Sequence, residues 1–362
     1  MIKYVKLNIL LKYMLRKKII IIAIILIVCI VAILIFTGDR IFKKEEQEQE
    51  KDILSELIEQ NMPWEARIRL FQGNFIVARS KNQIIQSILN LYDPEREEFK
   101  LADNLSGSLE ATYYGTESLR NLNIKNFNNI EKLSSGEKVL DSVRSYYKEA
   151  GYYEEDGKNP LFSTLHALRI DRWYEEDLGQ EIDSAWLEGI SLKNMDLEKN
   201  ELNLEHQWVV WEVYRHLPTL EKTKMLEDLS FYYFDYLCNL DFPNEIERST
   251  YLKNKYYQAI SLSTIMGDIN NVKGLENNCL EKEEIQKTKE RLDSINYNEL
   301  SDIKELYQLY YLRKFYDLRD KDKLLSAFRE LEKFYLNDGL KENLKDEKTN
   351  LIGTYYGTLF MK

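Results

Sequence analysis

The chain has 362 residues, 44% of them hydrophobic, and a formal net charge of −11 at pH 7, which suits one large folded domain. The acidic balance argues against nucleic acid as a partner, because phosphate contacts require clustered lysines and arginines. The sequence also contains no glycine-rich phosphate loop, Gly-x-Ser-x-Gly elbow, His-Glu-x-x-His helix or Cys-x-x-Cys pair, so those enzyme classes gain no support.

The N-terminal part of the sequence predicts a membrane anchor. Residues 1–18 carry lysines and an arginine without any acidic residue, and residues 19–36 form an uncharged apolar run. Such a run is long enough to span a bilayer as a helix, and the basic flank keeps the preceding segment in the cytoplasm. The alternative, a cleaved signal peptide, usually has a shorter apolar region followed by a small-residue cleavage site. We therefore expect a single-pass, uncleaved signal-anchor that contacts the lipid bilayer through 19–36.

Behind the anchor, the sequence predicts a stalk and one extracytoplasmic domain. Residues 37–60 include the run Lys-Lys-Glu-Glu-Gln-Glu-Gln-Glu-Lys at 43–51, which indicates either a charged helical stalk or a flexible linker. The domain then covers 61–362. Its two cysteines, Cys238 and Cys279, either pair in an oxidising compartment or remain buried free thiols.

An internal repeat predicts the architecture of that domain. The pentapeptide Thr-Tyr-Tyr-Gly-Thr at 112–116 returns unchanged at 354–358. Aligned on Tyr113, the intervening and final copies centre on Leu165, Trp208, Tyr257, Tyr310 and Tyr355. Each interval is too long for one helix and suits a helical hairpin. Six hairpins result, with outer helices such as those that contain Ile84 and Val139.

Short segments before three of the copies carry a family resemblance. They are the stretch from Phe99 to Tyr114, Asp156-Gly157 before Ser163, and Asp338-Gly339-Leu340 before Thr354-Tyr355-Tyr356. Together they resemble the repeat of the terpenoid cyclase and protein prenyltransferase superfamily, over about residues 80 to 362. The resemblance implies an all-α fold, an (α/α)6 toroid of six helical hairpins behind the N-terminal transmembrane helix, with a concave pocket at one end.

The catalytic motifs of that superfamily are missing from this sequence. There is no Asp-x-Asp-Asp motif, no acidic cluster for magnesium and no Asp-x-Cys pair for zinc. We therefore expect neither a metal nor a cofactor, and the resemblance in fold does not bring the activity with it.

The candidate site residues lie on the predicted inner helices. His166, His206 and Glu205 are candidates for acid–base chemistry, although a lone histidine on a helix is more often a structural residue. The candidates for ligand contact, which are also typical of core packing, are Tyr114, Trp208, Trp211, Tyr257 and Tyr356.

The sequence favours a membrane-anchored module that binds an extracytoplasmic protein, glycan or lipid, or acts as a scaffold, without catalysis. The alternative is a cell-surface enzyme that acts on a glycan, as a lyase or glycosidase, or on an isoprenoid-type lipid. Clustered titratable groups in a deep pocket favour the enzyme, and a filled centre favours the scaffold. We also expect the helices of the two identical pentapeptides to be neighbours, with Gly115 and Gly357 allowing their close approach.

Overall fold

The computed structural model describes residues 81–124, 136–174, 182–183, 185–186, 204–216, 233–240, 242–243, 245–268, 283–318, 320–336 and 339–361. The chain divides into two compact units, Met1–Arg67 and Ile68–Lys362, and every described residue belongs to the second. The cytoplasmic segment, the anchor at 19–36 and the stalk at 37–60 lie outside the described residues and stay predictions. Within the described ranges, no helix combines the length and the apolar character that crossing a bilayer requires.

The described part of the chain is mostly helical, which confirms the all-α prediction. Its α-helices include α1 (Lys81–Asn90), α2 (Leu109–Asn121), α3 (Gly136–Arg144), α4 (Pro160–Tyr174), α5 (Leu204–His216), α6 (Arg248–Asp268), α7 (Glu283–Ser294), α8 (Ile303–Phe315), α9 (Lys321–Leu331) and α10 (Leu351–Leu359). All six aligned segments are helical, in α2, α4, α5, α6, α8 and α10. The two predicted outer segments, with Ile84 and Val139, lie in α1 and α3.

Those six helices, here called the ring helices, contact one another in a closed order. Helix α2 packs on α4, α4 on α5, α5 on α6, α6 on α8, α8 on α10, and α10 on α2. At the closing contact the hydroxyls of Tyr113 and Tyr355 are 3.2 Å apart, and Asn121 Nδ2 donates to Thr358 Oγ1 at 3.2 Å. The helices of the identical pentapeptides are therefore neighbours, as expected. Helix α1 packs on α2, α3 on α4, and both α7 and α9 on α8.

Side-chain caps define where several ring helices begin. Ser108 Oγ accepts from the backbone N–H of Ala111 before α2, and Asp302 caps α8 in the same way. Asn350 Oδ1 accepts from Gly353 N at 2.7 Å before α10. These residue types are the preferred N-caps because their short side chains satisfy backbone donors that lack a partner in the first turn.

Small antiparallel strand pairs precede three ring helices, a feature the sequence analysis did not predict. Each strand has two residues, and the pairs are β1 (Tyr92–Asp93) with β2 (Glu98–Phe99), β3 (Tyr147–Lys148) with β4 (Tyr152–Tyr153), and β5 (Tyr335–Leu336) with β6 (Gly339–Leu340). The second strand of each pair precedes a ring helix: β2 precedes α2, β4 precedes α4 and β6 precedes α10.

A repeated threonine fastens each strand pair to its ring helix. Phe99 N donates to Thr112 Oγ1 at 3.1 Å, and Tyr153 N donates to Thr164 Oγ1 at 3.0 Å. The equivalent bond to Thr354 Oγ1 is 3.4 Å long. All three threonines are at most 1% exposed, and a buried N–H without an acceptor is costly. The recurrence of threonine in the repeat thus has a structural reason.

The two pentapeptide glycines make room for the strand pairs rather than for a neighbouring helix. A Cβ atom at Gly115 would lie 2.6 Å from the ring of Phe99, and one at Gly357 would lie 2.5 Å from Leu340. Phe99 and Leu340 are the last residues of β2 and β6. The expectation that these glycines allow close approach of α2 and α10 is therefore corrected.

Candidate functional site

A cavity of about 80 Å³ lies between the ring helices and takes lining side chains from all six of them. Most of the predicted site residues meet there, namely Tyr114, His166, Glu205, Trp208, Tyr257 and Tyr356. Their convergence follows from the repeat, because aligned positions on successive ring helices face the same space. The cavity is therefore the candidate site that the sequence predicts best.

Two predicted site residues, Trp211 and His206, do not line this cavity. Trp211 is 1% exposed and its ring packs 6.0 Å from that of Tyr233. The ring of His206 lies 6.4 Å from that of Phe162, and burial lowers its pKa. Trp211 therefore packs in the core, and its assignment to ligand contact stays a prediction. His206 is not brought together with His166 in the cavity.

Aromatic rings of the ring helices contact one another beside this cavity. The ring centroids of Tyr113 and Tyr355 are 5.8 Å apart, and those of Tyr114 and Tyr355 are 5.1 Å apart. The cavity volume of about 80 Å³ compares with roughly 300 to 1,000 Å³ for the pockets that bind small organic ligands. It has room for a few water molecules, each of which needs roughly 10 to 15 Å³ of such space.

Glu205 is the carboxylate of the cavity, and it is held by hydrogen bonds. The hydroxyl of Tyr257 donates to Glu205 Oε1 at 2.7 Å, and Lys253 Nζ forms an ion pair with Oε2. Burial raises the pKa of this carboxyl, but the hydrogen bonds from Lys253 and Tyr257, with the charge of nearby Lys304, outweigh burial and lower it. Glu205 is therefore ionised at neutral pH and is a poor general acid.

His166 is a neutral histidine in the cavity wall. Its ring stacks on Tyr113, with the two centroids 4.5 Å apart and the planes 12° from parallel. Burial, together with the positive charges of Arg169 and Lys158, lowers its pKa to about 3. A group with so low a pKa is a weak base near neutral pH, whereas an effective general base has a pKa near the operating pH.

A buried ion pair next to the cavity was not predicted. Arg169 Nη2 lies 2.9 Å from Glu212 Oε2, and Arg169 Nη1 donates to the Tyr113 hydroxyl at 2.8 Å. The guanidinium carbon also lies 4.9 Å from the ring centre of Trp208. The available signal was spacing: Arg169 follows His166 by three positions and Glu212 follows Trp208 by four, so each pair shares a helix face.

Lys304, at the start of α8, is a further lining residue that was not predicted. Its Nζ lies 5.8 Å from the ring centre of Tyr356. Across the described ranges, no group of three or more His, Cys, Asp or Glu side chains is arranged to hold a metal ion. Cys238 is disulfide-bonded, and Cys29 and Cys279 both lie outside the described residues.

Comparisons with known proteins add no relative from which a role can be carried over. No protein-family model matches the sequence. No curated protein is significantly similar to it, and no solved structure is significantly similar to the fold. The likeness to the terpenoid cyclase and protein prenyltransferase superfamily therefore rests on the repeat segments alone.

Proposed function

We propose that this chain is a membrane-anchored, extracytoplasmic helical module with the (α/α)6 toroid fold, and that it acts by binding or as a scaffold rather than by catalysis. The closed order of contacts from α2 through α10 and back to α2 supports the toroid. The packing of α3, α7 and α9 each against one ring helix, and of α1 against α2 and α10, fits an outer layer.

The small volume of the cavity between the ring helices carries the proposal. A sugar unit or an isoprenoid chain needs several hundred Å³, whereas the cavity offers about 80 Å³. The tyrosines there also serve the ring itself, since Tyr113 and Tyr355 join α2 to α10. The interior therefore contributes stability, and recognition of a protein, glycan or lipid falls to the outer surfaces of the domain.

The alternative, a surface enzyme, is favoured by one observation: His166 and Glu205 line the same cavity. Their protonation argues against it. Burial and neighbouring cations lower the pKa of His166 to about 3, and Glu205 has a lowered pKa despite its burial. Neither group is tuned for proton transfer near pH 7.

A turnover assay distinguishes the two functions. Purified full-length protein and a Glu205→Gln variant would be incubated with acidic and neutral oligosaccharides and with isoprenyl diphosphates, and products would be detected by mass spectrometry. We expect no product above that of the variant. A product that the natural protein forms and Glu205→Gln does not would overturn the proposal in favour of the enzyme.

The location rests on separate observations. The uncharged run at 19–36 and its basic N-terminal flank support an anchor with the N-terminus inside. The disulfide at Cys238 supports an oxidising compartment for the domain. Both indicate that the domain faces away from the cytoplasm.

Protease added to intact cells should digest the domain from residue 41 onward and spare residues 1–18, because the basic flank retains only that segment inside. Tags at the two ends of the chain, followed by immunoblotting, would report the two outcomes separately. Permeabilised cells serve as the control, in which both tags are lost. Protection of the C-terminal tag in intact cells, with loss after permeabilisation, would place the domain in the cytoplasm.

A further inference from the structure

A second cleft, of about 420 Å³, opens at the C-terminal ends of α2 and α4. It shares no lining residue with the cavity between the ring helices. Its aromatic wall is Trp173, and its polar wall consists of Arg120, Asn121, Asn123 and Arg172. The volume falls within the range of roughly 300 to 1,000 Å³ that small-molecule sites occupy.

The two arginines give this cleft a positive charge. Arg120 pairs with Glu117 at 3.0 Å, and Arg172 is exposed. A guanidinium binds a carboxylate through two parallel hydrogen bonds, which gives both charge and geometric selectivity. Arginines in a last helical turn also offset the helix dipole, but that effect does not explain the amides and the indole beside them.

The two asparagines add neutral hydrogen-bonding groups. Asn123 is exposed and has a φ of +59°. Just after the end of α2, its backbone N–H donates a hydrogen bond to Arg120 O at 2.9 Å. This left-handed conformation, which asparagine tolerates, carries its side chain beyond the helix end. Asn121 is 4% exposed, and its Oδ1 has no donor among the described residues. Amide groups both donate and accept, which matches the needs of hydroxyl groups.

Trp173 supplies the aromatic wall, and Ile124 and Met361 extend it with apolar atoms. An indole presents a flat apolar face with a polar edge, so it suits ligands that have one apolar and one polar side. A pyranose ring is such a ligand, because its C–H groups form an apolar face and its hydroxyls point outward.

We propose that this cleft binds a sugar ring that carries a carboxylate, that is, an acidic unit of a glycan. The carboxylate pairs with the guanidinium groups of Arg172 and Arg120, the hydroxyls bond the exposed amide of Asn123, and the C–H face of the ring packs on Trp173. A simple anion would use only the arginines, and a lipid chain would leave the polar wall unpaired. The proposal deepens the binding role proposed above by naming a ligand, but it depends neither on the anchor nor on the absence of catalysis.

The test is calorimetric titration of the purified full-length chain with glucuronic acid, glucose, acetate and inorganic phosphate as separate probes. We expect saturable binding of glucuronic acid and affinity about 10-fold or more weaker for glucose, since a charged hydrogen-bonded contact is lost. Arg172→Ala should lower the affinity for glucuronic acid by about 10-fold or more for the same reason. The matched control is Arg96→Ala, which removes another exposed charge outside the cleft and should leave the affinity unchanged.

Four results would overturn the proposal. If acetate or phosphate binds as tightly as glucuronic acid, the cleft holds an adventitious ion only. If glucose binds equally well, the carboxylate is not recognised. Equal affinities of Arg172→Ala and the natural protein for glucuronic acid would show that the cleft is not the binding site. The absence of saturable binding by glucuronic acid would exclude acidic sugars as the ligand. Because none of these readouts involves turnover or location, they stand apart from the failure of the proposed function.

Discussion

Replacing Arg169 with alanine is expected to lower the free energy of unfolding by about 3 to 5 kcal/mol, the range for removing one partner of a buried ion pair. The guanidinium contacts Glu212, whose side chain is 6% exposed, and the hydroxyl of Tyr113. Without it, the pair that Glu212 keeps among the described residues is the one with Arg215 at 2.8 Å, and a carboxylate remains in a poorly hydrated site. Denaturant unfolding followed by circular dichroism would measure the loss.

The same helix offers a matched control. Arg172 lies three positions after Arg169 on α4 and is exposed, so Arg172→Ala should change the free energy of unfolding by no more than about 0.5 kcal/mol. Similar losses in both variants would show that charge on α4, rather than the pair with Glu212, is what matters. A loss below about 1 kcal/mol in Arg169→Ala would place the pair among the weak surface contacts.

Acidification should destabilise the domain partly through His166, by up to about 1.4 kcal/mol per pH unit. The pKa of this histidine is lowered from 6.5 to about 3 in the folded protein. Between those values the unfolded chain binds a proton that the folded chain excludes. Above pH 6.5 neither state binds this proton, so His166 does not lower the free energy of unfolding. As the pH falls from 6.5 toward 3, proton binding to the unfolded chain lowers the free energy of unfolding progressively. His166→Phe keeps a ring that stacks on Tyr113 and should abolish this component of the pH dependence.

The measurement compares unfolding midpoints of His166→Phe and the natural protein from pH 7.5 down to about pH 4.5, the range in which only the unfolded histidine titrates. Burial raises the pKa of Glu155 and Glu342, which favours the folded state in acid. Because both proteins contain these two residues, the effect of His166 is read from the difference between the two unfolding midpoints at each pH. His206→Phe is the control, because burial alone lowers the pKa of His206 and a smaller change is expected. Parallel curves for His166→Phe and the natural protein would contradict the prediction.

The ring helices could be predicted from the sequence, because their signal recurs. Tyr113, Leu165 and Tyr355 occupy equivalent positions, and each lies in a segment long enough to show a helical pattern. The strand pairs could not be predicted, because a two-residue strand such as Tyr147–Lys148 has no periodicity of its own. Its position is set by the bond from Tyr153 N to Thr164, a contact that only tertiary structure provides.

Helix geometry also explains which site residues were placed correctly. Successive residues on a helix are about 100° apart, so His206, two positions before Trp208, points to the opposite side of α5. Trp211 lies about 60° from Trp208, enough to turn its ring to Tyr233. Arg169 was missed for another reason: a charged residue is normally solvated, and its partner Glu212 lies on the next ring helix.

The contact between α10 and α2 also sets the order in which the domain can fold during synthesis. The hydroxyl pair of Tyr113 and Tyr355 spans 242 positions, so the ring stays open until α10 has left the ribosome. Until then the tyrosines of α2 and α8 lack their neighbours on α10 and remain accessible to chaperones or to other nascent chains. Contacts of such sequence separation also slow folding, since a long loop must close before they form. The nascent domain is thus most prone to aggregate in the interval just before α10 arrives.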